Sequence, residues 1–216
     1  MDPLARYRNS RVLVFWSGGV DSTALVAGLV QAGAWVTILT VESDQLPNTA
    51  AETKHRKLLL DWFKEQRIEH RGHISFKLGS IYGTFCASYP QSWWWVNIAQ
   101  LYRNNDYDYI ALGWVVADDS VAFIPEYLNY WNAGSCFMQG SGGPQLVFPF
   151  AKFTKSQIVN NYFKDFQKPP VWWCENPVEK EGVYSECGKC PSCLSAYEFG
   201  LFGKFDRKHP YFDGED

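Results

Sequence analysis

Val12-Leu13-Val14-Phe15-Trp16-Ser17-Gly18-Gly19-Val20-Asp21-Ser22-Thr23 is the stretch that decides how this chain folds. Five apolar residues predict a buried strand, and Ala24-Leu25-Val26-Ala27-Gly28-Leu29-Val30 predicts an apolar helix after the turn. A tight glycine turn between strand and helix points backbone N–H groups at an anion, and the positive end of the helix adds to the attraction. Gly18 and Gly19 leave no Cβ to block phosphate oxygens, and Ser17, Ser22 and Thr23 bring hydroxyls. Asp21 is suited to holding a metal or orienting a nucleotide. The stretch reads as a phosphate cradle.

Two common cradles are excluded. No lysine precedes the Ser/Thr pair, as a Walker A loop requires. The dinucleotide pattern G-x-G-x-x-G is absent too. The run instead resembles the S-G-G-x-D-S loop of the PP-loop ATP pyrophosphatases. In that superfamily the loop holds the pyrophosphate end of ATP while a substrate oxygen attacks the α-phosphate.

Outward from the loop, strands and helices alternate. Trp35 to Val41 predicts a second buried strand and Ala50 to Gln66 a helix, with Leu58, Leu59, Trp62 and Phe63 on one side. Ile74, Phe76 and Leu78 suggest a third strand, Trp93 to Arg103 a helix, and Tyr109 to Leu112 a fourth strand stopping at Gly113. Gly79 to Pro90 and Gly134 to Pro144 read as loops, the latter glycine-rich and suited to closing over a ligand. Leu146 to Phe150 is a short apolar segment. Thr154-Lys155-Ser156-Gln157 is a capping box opening a helix. Lys155 therefore sits where a cation is unfavourable unless an anion is close, which hints at phosphate. The fold class expected is α/β, a doubly wound, mostly parallel sheet with helices on both faces. Ligands in such sheets bind beyond the carboxyl ends of the strands, where both the opening loop and Gly113 fall.

The 216 residues carry a net charge of −3 and ten tryptophans, with no lysine- or arginine-rich block. A large nucleic-acid footprint is not indicated, so direct nucleic-acid binding is not expected. No apolar run is long enough to span a membrane, and Met1 to Arg11 is too polar for a signal peptide, so a cytoplasmic location is the expectation. The tryptophans, densest at Trp93-Trp94-Trp95 and Trp172-Trp173, suit an aromatic core or a partner surface.

Cys174, Cys187, Cys190 and Cys193 form a C-x12-C-x2-C-x2-C set, while Cys86 and Cys136 stand alone. Four thiolates at this spacing suit a tetrahedral Zn²⁺ with no open position, hence a structural one. An iron–sulfur cluster is the rival, and a disulfide framework belongs to small secreted chains. Residues 1–170 are expected to form the nucleotide-binding domain and 171–216 a zinc-binding segment packed on it. Val178 to Tyr184 would project from that segment as a loop.

The loop, then Phe148-Pro149-Phe150 with Thr154-Lys155-Ser156-Gln157-Ile158, then Cys174 and Cys187-Gly188-Lys189-Cys190-Pro191-Ser192-Cys193 follow one another in a particular order. In that order they resemble the 7-cyano-7-deazaguanine synthase family, a branch of the PP-loop pyrophosphatases with the adenine-nucleotide α-hydrolase type of fold. Leu112-Gly113 with Asp118-Asp119 is similar to that family's central segment. The resemblance implies an ATP-dependent ligase that joins 7-carboxy-7-deazaguanine and ammonia, through an amide, to the nitrile preQ0, with ATP, Mg²⁺ and Zn²⁺. It implies Ser17, Gly18, Gly19, Val20, Asp21, Ser22 and Thr23 at the pyrophosphate, Gly113 at the nucleotide and Lys155 on phosphate charge. Asp21, Ser22 and Lys155 would be catalytic, and Cys174, Cys187, Cys190 and Cys193 would hold the metal. A homodimer is compatible with this picture.

The chain departs from the family pattern at Tyr89-Pro90-Gln91-Ser92-Trp93, at Ile124-Pro125-Glu126-Tyr127 and after Cys193. The family's tyrosine–glycine–glutamine–arginine–histidine stretch after the second strand is missing, and Lys54-His55-Arg56 nearby is the candidate to serve instead. Alternatives are therefore a member that stops at the amide or takes another acceptor, and a sulfur-inserting tRNA enzyme using Cys86 or Cys136. A nucleotide-binding scaffold that has lost catalysis is the third.

Overall fold

The computed structural model describes residues 2–43, 46, 48–78, 91–103, 107–116, 118–135 and 143–198. Expectations for Cys86, Cys136, Tyr89-Pro90, the loop residues 79–90 and 136–142, and the last eighteen residues lie outside them.

Five strands form one parallel sheet: β1 (Arg11–Phe15), β2 (Trp35–Ser43), β3 (Gly72–Leu78), β4 (Tyr109–Ala111) and β5 (Gln145–Val147). Their spatial order is β3-β2-β1-β4-β5, and each neighbouring pair is parallel. The fold is α/β and doubly wound, as the alternation predicts. β5 grows from the short apolar segment around Leu146, whose pairing with Ile110 makes it a fifth strand.

Strand residues alternate between the two faces. Val12 and Val14 pack with α1 (Val20–Gln31), α2 (Thr49–Glu65) and α5 (Lys155–Tyr162). Leu13 and Phe15 point the other way, toward α3 (Gln91–Gln100) and α4 (Ile124–Ser135). Because β1 is central and covered on both sides, its whole apolar run after Arg11 is buried. α1 is likewise buried from Ser22 to Leu29, which is why it is apolar all round.

Three local expectations change. Leu58 is 47% exposed, so the buried side of α2 is Leu59, Trp62 and Phe63. Residues 178–185 are an antiparallel hairpin, β6 (Val178–Lys180) and β7 (Val183–Ser185), rather than a loop. Glu181 and Gly182 both have positive φ, 51° and 75°, the geometry of a two-residue hairpin turn. The helix read from Trp93 starts at Gln91 and ends at Gln100.

The strand order reverses between β1 and β4. The carboxyl ends of these two strands therefore part at a crevice, the place where open parallel sheets bind ligands. The last described α-helix, α6 (Pro191–Glu198), carries Cys193 and contributes Pro191, Ser192 and Ser195 to that crevice. Among the described residues no helix is long and apolar enough to cross a membrane.

Candidate active site

The crevice holds a cavity of about 660 Å³. Its floor is the loop after β1, with Ser17, Gly19, Asp21 and Ser22 on the wall. Gly113 and Trp114 enter from the end of β4, Lys155 from α5, and Pro191, Ser192 and Ser195 from the cysteine-bearing segment.

Hydroxyls brace the loop. The Ser17 N–H donates to Ser22 Oγ at 3.2 Å, the two hydroxyls lie 3.1 Å apart, and the Gly19 N–H donates to Ser17 Oγ at 3.2 Å. Gly19 is the N-cap of α1 and no side chain caps it, so the first N–H groups of the helix have no intrahelical partner. Gly18 has φ +87°, and a Cβ there would lie 2.7 Å from Arg56 Cγ. That position needs glycine twice over. The whole arrangement is an anion site at a helix N-terminus.

Four of the seven predicted loop residues reach the cavity wall, and the others play a different part. Thr23 is fully buried and accepts from the Trp16 indole N–H at 3.0 Å, which removes it from direct contact with the cavity. Val20 packs into the core, and Gly18 shapes the turn. Gly113 does line the cavity, but its missing Cβ has a structural reason as well. A Cβ there would lie 3.1 Å from the Asp21 carbonyl carbon and oxygen, so β4 presses against the first turn of α1.

Lys155 begins α5 behind a formed capping box, in which Thr154 Oγ1 accepts from the Gln157 N–H and Gln157 Oε1 from the Thr154 N–H. Its Nζ stands 3.3 Å from Asp21 Oδ2. The anion that offsets a cation at this helix start is thus Asp21 of the protein itself. Asp21 Oδ1 is buried without a hydrogen-bond partner. Burial pushes the Asp21 carboxyl up to about 6, against the pull of Lys155. Burial also raises Asp118, whose Oδ2 accepts from the Val115 N–H at 2.9 Å. Asp118, Asp119 and Asp21 all line the cavity.

The cysteines come together as their spacing predicts. The Sγ atoms of Cys174, Cys187, Cys190 and Cys193 all lie within 4.8 Å of one another and carry free thiols. The N–H groups of Cys187, Cys190 and Cys193 donate to the sulfurs of Cys174, Cys187 and Cys190 at 3.2, 3.3 and 3.4 Å. Such donors stabilise thiolate charge, and the set is compatible with zinc. The Trp172 indole N–H donates to the Cys174 carbonyl at 2.8 Å, which ties the cysteine cluster to the cavity wall.

Two features go beyond what the sequence reading assigns. Trp95, Trp114, Trp172 and Trp173 all line the cavity. Their clustering in sequence is visible, but their convergence from α3, β4 and the cysteine segment is not. The second is Arg56, which is 4% exposed and bonded to Glu42, Glu52 and the Ser17 carbonyl. Lys54-His55-Arg56 marks it as a basic candidate and the Glu52–Arg56 spacing of four along a helix gives one partner, but Glu42 and the Ser17 carbonyl have no local signal. His55, beside it, stacks on Trp172 at 4.4 Å, and burial lowers its pKa.

No family model and no curated protein matches the chain. Among solved structures it is similar to a predicted subunit of tRNA methyltransferase from Methanocaldococcus jannaschii, at 16% identity over 71% of this chain and 74% of that one, with a TM-score of 0.44. It is also similar to NMN synthetase from Francisella tularensis, at 18% identity over 78% of this chain and 74% of that one, with a TM-score of 0.40. Likenesses this remote bear on neither the reaction nor the substrate.

Proposed function

We propose that the chain is a PP-loop ATP pyrophosphatase that activates a carboxylate by adenylation and passes it to ammonia. The observation that carries this reading is the Asp21–Lys155 pair beside the uncapped start of α1. It shares a cavity wall with Ser17 and Ser22, at the point where the strand order reverses. A cavity of about 660 Å³ is of the size that holds a nucleotide and a small acceptor together.

A carboxylate is a poor electrophile until its oxygen becomes a good leaving group, and attack on the α-phosphate makes it one. The charge then grows on the departing pyrophosphate. The first N–H groups of α1, the Ser17 and Ser22 hydroxyls and Lys155 are placed to receive that charge, in a wall already built and partly dry. Asp21 and Asp118 fit a divalent cation, since both carboxyls are strained by burial and Asp21 Oδ1 has no donor. Mg²⁺ held there would neutralise phosphate charge. The four tryptophans give planar walls suited to an adenine and a flat acceptor.

For the acceptor we propose 7-carboxy-7-deazaguanine, on the strength of the sequence resemblance. One ATP gives the amide with AMP and pyrophosphate. A second activates the amide oxygen, whose loss leaves the nitrile preQ0. Zinc on the four cysteines would fix Pro191, Ser192 and Ser195 against the acceptor end of the cavity. Incubation with ATP, Mg²⁺, ammonium and the carboxylic acid, with products read by mass, tests this. Amide or nitrile is the expected product. Pyrophosphate release that requires tRNA would instead favour the sulfur-inserting reading, and no release with any acid would favour a scaffold.

A further inference from the structure

Behind the loop lies a buried cation that the reaction above leaves unused. The Arg56 guanidinium, on α2, is held from three sides. Nη1 donates to the Ser17 carbonyl at 3.2 Å and to Glu52 Oε2 at 3.2 Å. Nη2 donates to Glu42 Oε1 at 3.1 Å and to Thr53 Oγ1 at 2.9 Å. Glu42 lies near the end of β2, so the guanidinium joins strand, helix and loop. Glu52 also lines the cavity, and its other oxygen accepts from Asn48 Nδ2 at 2.7 Å.

A brace between β2 and α2 needs only Glu42, since Glu52 lies one turn before Arg56 on α2 itself. The bond to the Ser17 carbonyl adds something else, because a planar trans peptide sets its N–H antiparallel to its C=O. Holding the Ser17 carbonyl on Arg56 turns the Gly18 N–H away from it. The arginine stem fills the space a Cβ on residue 18 would occupy, so the turn is wrapped on this side chain. We propose that Arg56 is the positioning residue of the phosphate loop, clamping the Ser17–Gly18 peptide and so fixing the turn that presents Ser17, Gly19 and Ser22 to the incoming phosphate. The proposal rests on the phosphate reading of the loop.

The test is the Kd for ATP with Mg²⁺, read by quenching of the cavity tryptophans well below each variant's Tm, in the full chain. Arg56→Ala should weaken ATP binding about tenfold to a hundredfold, the range for a hydrogen bond to a charged group. Millimolar methylguanidinium should restore part of it, which a merely stabilising residue would not do. Arg56→Lys keeps the charge but not the fork, and should also bind ATP about tenfold more weakly. Should Arg56→Ala fail to fold, Arg56→Lys carries the test. A folded Arg56→Lys with wild-type ATP affinity, or a folded Arg56→Ala that loses only thermal stability, overturns the clamp while leaving the phosphate reading intact. Wild-type protein that binds no ATP overturns both.

Discussion

Asp21→Asn should make the nucleotide-free protein more stable at pH 8 while abolishing pyrophosphate release. The Asp21 carboxyl titrates at about 6 in the folded chain, against an ordinary value of 3.8, because it is buried. Ionisation therefore opposes folding. The penalty is complete above about pH 6 and gone below about pH 4, so it falls as the pH falls through this window. The two values differ by an amount worth about 3 kcal/mol. Asparagine keeps the shape without the charge and removes that cost, which is already net of the attraction between Asp21 and Lys155. The gain of about 3 kcal/mol corresponds to a rise in Tm of about 6–12 °C in a domain of this size. Thermal unfolding of both proteins at pH 8 and pH 4 measures it. The curves should separate at pH 8, and at pH 4 the advantage of the variant should disappear. An Asn variant less stable than wild type at pH 8, or one that still releases pyrophosphate at the wild-type rate, would refute the electrostatic assignment of this residue.

The remaining expectations concern the loop and the cysteines. Ser22→Ala should weaken ATP turnover about tenfold or more, since Ser22 lines the cavity and bridges Ser17. Thr23→Val should instead act on stability, costing about 1 kcal/mol through the lost Trp16 bond, with turnover little changed; equal kinetic effects in the two variants would contradict the division of roles. Cys190→Ser should lower both Tm and bound zinc, because metal binding contributes to folding. Elemental analysis that finds iron, or a stable wild-type protein with no metal, would count against the zinc site.

Much of the architecture can be read from local pattern. The run from Val12 to Thr23 announces a central strand, a turn and a helix because each of those residues satisfies a local rule. The Thr154–Gln157 capping box and the cysteine spacing are local rules as well, and all three signals hold in the structure. What is not legible depends on contacts between distant segments. Arg56 looks like one basic residue among several in Lys54-His55-Arg56-Lys57, and only folding brings Glu42 and the Ser17 carbonyl to it. Leu58 fits a helical stripe by spacing, but the stripe that meets the sheet is set by Leu59, Trp62 and Phe63. Lys155 at a helix start signals a nearby anion, without saying that Asp21 is that anion. Val178 to Tyr184 lacks strand character in its charges, and the hairpin follows from a turn at Glu181-Gly182 that a non-glycine residue enters with positive φ.

The loop, Lys155 and the buried carboxylates all serve one claim, that ATP is cleaved between its α- and β-phosphates. Phosphorus NMR of ATP incubated with the protein, Mg²⁺, ammonium and 7-carboxy-7-deazaguanine measures this directly. AMP and pyrophosphate should accumulate in equal amounts and only when the acceptor is present. ADP and orthophosphate as the products would contradict it.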